Sequence, residues 1–192
     1  MIAAVRDFKP LIVRLGIIAV ACLSVLGCPS TSSPPSIADV TKAYSAMYVA
    51  QASAPAPTST NVTYSGQNGS GSYTNPYGGT VLVSYSATGT PNGPSAWSAS
   101  GTLQFTNWYD PSTGYTIKGT LSVSESVSGS APSPISISAM ITGNLALSGG
   151  TISTLSCNIS EQMTIYSGAP YFAATVSGTI TANGYSYNVN QL

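Results

Sequence analysis

The chain has 192 residues and 19.5 kDa; 43% are hydrophobic and only 5% charged, with five basic and five acidic residues and no histidine. An ordinary domain carries roughly 25% charged residues, and so few cations cannot form the Lys/Arg stripe that holds a phosphate backbone, so nucleic acid is excluded as a partner. Without histidine, Ser-His-Asp and Cys-His nucleophiles and most zinc sites are excluded too. With no phosphate, cofactor or metal motif, the chain reads as a non-enzyme.

The first 28 residues differ from the rest. Arg6, Lys9 and Arg14 lead into a charge-free run over residues 15–27. As a helix that run spans about 20 Å against a hydrocarbon core of roughly 30 Å, so it suits the h-region of an export signal better than a permanent span. It closes with Val25-Leu26-Gly27-Cys28.

A small residue before a cysteine at the end of an h-region resembles the lipobox of bacterial lipoproteins, in which the cysteine is acylated and becomes the mature N-terminus. That family more often has Leu where Val25 stands and a small residue where Leu26 stands. An ordinary signal or an uncleaved anchor with an incidental cysteine is the other reading. Cys22, after Ala19-Val20-Ala21, is a second acceptor with a shorter h-region. The resemblance implies a signal peptide over 1–27, lipidation at Cys28 and attachment to a membrane of the cell envelope through the lipid. Pro29, where inner-membrane lipoproteins commonly have Asp, points to the outer membrane.

Downstream of Cys28 the charged side chains are Lys42 and Lys118 against Asp39, Asp110, Glu125 and Glu161. Residues 28–35, rich in Pro, Ser and Thr, form a lipid-anchored spacer. Ser36 can cap a helix over 36–50 that places Ile37, Val40, Tyr44 and Met47 on one face. Pro55 and Pro57 then mark a linker over 54–60.

From residue 61 to 192 the apolar pattern has period two, predicting about eight strands over 61–66, 79–88, 96–109, 115–127, 135–148, 151–166, 171–182 and 185–190. Each has one apolar and one hydroxyl-covered face, and the short connections predict an antiparallel meander. Asn183-Gly184 as a type I′ turn sets Ala182 opposite Tyr185, Ile180 opposite Tyr187 and Gly178 opposite Val189. Folding about Ser112 sets Phe105 opposite Gly119, Leu103 opposite Leu121, Gly101 opposite Val123 and Ala99 opposite Glu125. Beyond Gly149-Gly150 the apolar parity switches, and a bulge near Ser153 or Thr154 restores it, pairing Leu145 with Leu155, Gly143 with Cys157, Ile141 with Ile159 and Ala139 with Glu161.

Glycine recurs mid-strand in Gly101-Thr102-Leu103, Gly119-Thr120-Leu121, Gly143-Asn144-Leu145 and Gly178-Thr179-Ile180, always at apolar parity. Such glycines mark curvature or close backbone approach. The expected fold is mainly β: a strongly curved sheet or open barrel with the N-terminal helix on its concave face, the alternative being a closed eight-stranded barrel.

Cys157, between Leu155 and Ile159 at apolar parity, reads as a buried inert thiol because no histidine can activate it. Twelve Tyr with Trp97 and Trp108 in a Ser/Thr/Asn-rich chain suit a sugar-binding surface. Trp97, Tyr109, Tyr115, Tyr185 and Tyr187 fall at inward parity, whereas Trp108 falls outward beside the Asp110 hairpin, with Tyr73 and Tyr77 in a loop-like stretch. Glu125 and Glu161 fall at apolar parity, each facing an alanine, so they either line a wet pocket or guard the rim of the sheet. These observations make Glu125, Glu161 and Trp108 the candidate ligand-binding residues of a binding or structural module whose protein or carbohydrate partner the sequence does not name. A carrier of an apolar ligand in the concave face is the alternative.

Overall fold

A computed structural model describes residues 33–54, 62–65, 68–88, 97–129, 134–166 and 172–192. Their elements are one helix, α1 (Ile37–Ser53), and nine strands: β1 (Val62–Ser65), β2 (Asn68–Thr74), β3 (Thr80–Thr88), β4 (Trp97–Asp110), β5 (Tyr115–Ser128), β6 (Ile135–Ser148), β7 (Thr154–Ile165), β8 (Phe172–Ala182) and β9 (Tyr185–Asn188). A 3-10 turn, Val189–Gln191, follows β9. The strands form one antiparallel meander in sequence order, and β1 does not pair with β9, so the sheet is open rather than a closed barrel.

Size complementarity sets the registers. All four pairs expected across the Asp110 hairpin are present, Phe105 opposite Gly119 and Leu103 opposite Leu121 among them. So are the four expected between β6 and β7, including Gly143 opposite Cys157 and Ala139 opposite Glu161. Near the parity switch, Leu147 N–H donates to Ser153 O at 2.8 Å. The Asn183 side chain fixes this corner, its Oδ1 accepting from the N–H groups of Ser153 (2.9 Å) and Thr154 (3.1 Å). Asn183 and Gly184 both take positive φ, as a type I′ turn demands, and Ala182 faces Tyr185. The expected Gly178–Val189 pair is absent because β9 ends at Asn188 and Val189 begins the 3-10 turn.

The mid-strand glycines serve the sheet itself. At Gly178 (φ +127°) a Cβ would collide with the carbonyl oxygen of Asn158 on β7, and at Gly119 (φ +124°) with that of Asn144 on β6. A side chain at either position would force neighbouring strands apart.

α1 packs against the apolar face. Ser36 caps it, accepting from Asp39 N–H at 3.2 Å. Its buried residues are Val40, Ala43, Tyr44, Ala46, Met47 and Ala50. The expected packing face is corrected at its start, since Ile37 is 53% exposed. Ala43, Ala46 and Ala50 complete it instead and give α1 a smooth face against the strands. With Ile117, Leu121, Ile141, Leu155, Ile159 and Ile180 these side chains form one core.

Candidate functional site

α1 covers the middle of the apolar face, and a pair of carboxylates on that face lies under the C-terminal half of α1. Ala99, Glu125, Ala139, Glu161 and Val176 form one row across β4 to β8. The two carboxylates therefore stand two strands apart, about 10 Å between Cα atoms, with only a methyl between them. Both are half-buried. Tyr48 on α1 donates its phenol to Glu161 Oε1, and the Tyr44 ring meets that of Tyr48 edge-on at 4.8 Å. Burial, then the charge of Glu161, pushes the Tyr48 phenol well above its usual range, and burial raises Tyr44 to about 12. Tyr48 thus stays protonated and remains a donor to the carboxylate. This arrangement locks helix to sheet at the edge of the core.

Trp108 is corrected. It is 2% exposed, with its ring 5.9 Å from Phe105 and 5.9 Å from Tyr73. A one-residue bulge between Phe105 and Trp108, with Asn107 at φ +50°, turns the ring inward. The same bulge turns Tyr109 outward, against expectation. Tyr73 lies on β2, a strand the apolar pattern missed, while Tyr77 is exposed in the turn after it. The Trp97 side chain lies outside the described residues, as do Cys28 and the leader. Burial holds the Cys157 thiol up at about 11, which fits an inert role. Asp110 is buried and used by its own hairpin, Oδ1 accepting from Ser112 N–H (3.0 Å) and Oγ (2.8 Å).

The opposite face was legible only as polar parity, and its organisation comes from the register. Ser70, Ser84, Thr102, Ser122, Thr142, Asn158, Thr179 and Asn188 form an unbroken row from β2 to β9. The next row is Asn68, Ser86, Ser100, Ser124, Met140, Ser160 and Ser177. Within rows the hydroxyls sit about 4.8 Å apart, and successive rows about 7 Å apart. Cross-strand bonds join hydroxyls on this face: Ser84 with Thr102 (2.8 Å) in the first row, and Thr88 with Ser98 (2.7 Å) and Ser126 with Ser138 (2.8 Å) in a further row. A shallow depression of about 650 Å³ runs along this face from Asn68 to Thr142, floored by Ser84, Ser100, Thr102 and Ser122 with Met140 at one side. Neither central row contains an ionisable side chain.

No family model matches the chain, and no curated protein or solved structure matches it. Among the described residues no three His, Cys, Asp or Glu side chains gather as metal ligands.

Proposed function

We propose that the chain is a lipid-anchored cell-envelope module, without catalytic activity, that binds uncharged carbohydrate on the hydroxyl-covered face of its sheet. One observation carries the reading: the unbroken Ser/Thr/Asn row from β2 to β9, beside a depression lined by no charged side chain. Each hydroxyl can donate and accept, so a fixed array of them complements a ligand that is itself a chain of hydroxyls. Exposed Met140 and Leu82 offer apolar contact to the C–H faces of sugar rings. An ionic ligand would find no counter-charge there. The helix seated on the apolar face favours this reading over an apolar-ligand carrier, which needs that face open. The tether rests on the leader's resemblance to lipoprotein signals, with Cys28 as acceptor and Pro29 favouring the outer membrane.

The test is an array of neutral and acidic oligosaccharides probed with the detergent-solubilised full chain and with Ser122→Arg, which sets a bulky cation in the middle of the row. Binding to neutral glycans that falls at least roughly tenfold in the variant is expected. Absence of neutral-glycan binding, or equal binding by both proteins, would overturn the proposal.

A further inference from the structure

We propose that two copies of this chain associate through the outer edge of β8, pairing Phe172–Val176 antiparallel about a two-fold axis at Ala174. β9 covers β8 only from Thr179 to Ala182, and the 3-10 turn Val189–Gln191 lies beside the next stretch. From Phe172 to Val176 no described strand pairs with the outer edge of β8, and residues 172–175 are all exposed.

The hydrogen-bonding sense of that edge follows from the hairpin. A two-residue turn makes Ala182 and Tyr185 the pair that exchanges both backbone bonds, so every second residue back along β8 directs its N–H and C=O to the β9 side. Asn183 N–H bonding Thr154 O at 3.0 Å on the β7 side agrees with this phase. Phe172, Ala174 and Val176 therefore present three donors and three acceptors outward. Natural edges are blunted by charge, proline, bulges or brevity. This stretch, Phe-Ala-Ala-Thr-Val, has no charge and no proline, and its ladder to β7 runs without a register shift.

A second copy is the occupant that fits, because the segment complements itself. With Ala174 opposite its symmetry mate, Phe172 stands opposite Val176 and Ala173 opposite Thr175. All three outward-directed residues then meet outward-directed residues, giving six backbone hydrogen bonds. Parity is kept, so the apolar faces of the two sheets lie on one side and the hydroxyl faces on the other. Phe172, 54% exposed, gains an apolar cross-strand neighbour, and the alanines at the axis let the strands close to ladder distance. Five residues per copy make a small interface, so the dimer is weak and concentration-dependent. The inference holds whether or not the hydroxyl face binds carbohydrate.

The experiment is sedimentation of the detergent-solubilised full chain over a concentration series, for the wild type, Ala174→Pro and Ala174→Lys. Proline at 174 removes an N–H directed away from β7 and is compatible with an edge strand; lysine adds a charge at the axis. Circular dichroism confirms the fold, and Ala174→Lys decides if the proline variant is misfolded. A wild-type monomer–dimer equilibrium that shifts at least roughly tenfold towards monomer in the folded variant is the expected result. A wild type monomeric at every concentration, or association indifferent to a folded variant, would overturn the proposal.

Discussion

Met47 measures how far α1 belongs to the core. Its side chain is 0% exposed, with Tyr44 one turn before it and Ala50 one turn after it on the face that meets the sheet, whereas Val49, in the same turn, is 40% exposed. Alanine is the best helix former, so neither Met47→Ala nor Val49→Ala weakens α1 locally. Any loss in Met47→Ala therefore reports packing. Truncating a fully buried Met costs the transfer of its side-chain atoms and the cavity left behind, about 2–5 kcal/mol. In a chain of this size each kcal/mol lowers Tm by about 2–4 °C, so a loss near 3 kcal/mol lowers it by about 6–12 °C. Val49→Ala should change stability by less than about 0.5 kcal/mol, favourably if at all. Urea unfolding followed by tryptophan fluorescence reads both, since Trp108 lies in the same core. Met47→Ala within about 0.5 kcal/mol of the wild type would refute the claim that the helix and sheet share one core.

Gly178→Ala should cost more than Gly184→Ala, because both need positive φ but only the first would press its Cβ into a neighbouring carbonyl; comparing their urea midpoints checks this. Stability should fall as pH rises above 9: Cys157 and Tyr44 have folded pKa values raised from 9.0 to about 11 and from 10.0 to about 12, so their contributions are complete below the unfolded values and decline through those windows, by at most about 1.4 kcal/mol per pH unit per group. Cys157→Ala should delay the onset by about one pH unit in an alkaline titration followed by circular dichroism. Cys28→Ala should leave the precursor uncleaved or soluble, and equal detergent partitioning of variant and wild type with the signal intact in both would contradict acylation at that residue.

Much of the sheet could be read from side-chain size. A glycine opposite a large apolar residue, as in Phe105–Gly119, fixes a register that alternation alone leaves open. β2 was missed because its inward positions are Gly69, Gly71 and Tyr73, which give almost no hydrophobic alternation; Gly69 is buried because the Tyr85 ring occupies the space its side chain would need. The bulge that buries Trp108 falls in Thr106-Asn107, where both residues are polar and the apolar parity is silent. Asn107, of a type that tolerates positive φ, was the only local sign. Ile37 keeps the helical spacing but stands in the first turn and outside the contact, whereas Ala43, Ala46 and Ala50 complete the packed face with side chains too small to mark it in the apolar pattern. The neighbouring positions of Glu125 and Glu161 followed from the register, but the Tyr48 contact to Glu161 joins residues 113 positions apart and depends on where the helix crosses the sheet.

The most direct test of binding on the hydroxyl face is a titration of the isotopically labelled full chain, followed by backbone amide NMR, with the neutral oligosaccharide that scores highest on the array. Binding on this face gives saturable shifts concentrated at Ser84, Thr102, Ser122 and Thr142, with Tyr44, Met47 and Cys157 unmoved. Shifts clustered instead around Tyr48, Glu125 and Glu161, with the hydroxyl row silent, would contradict it.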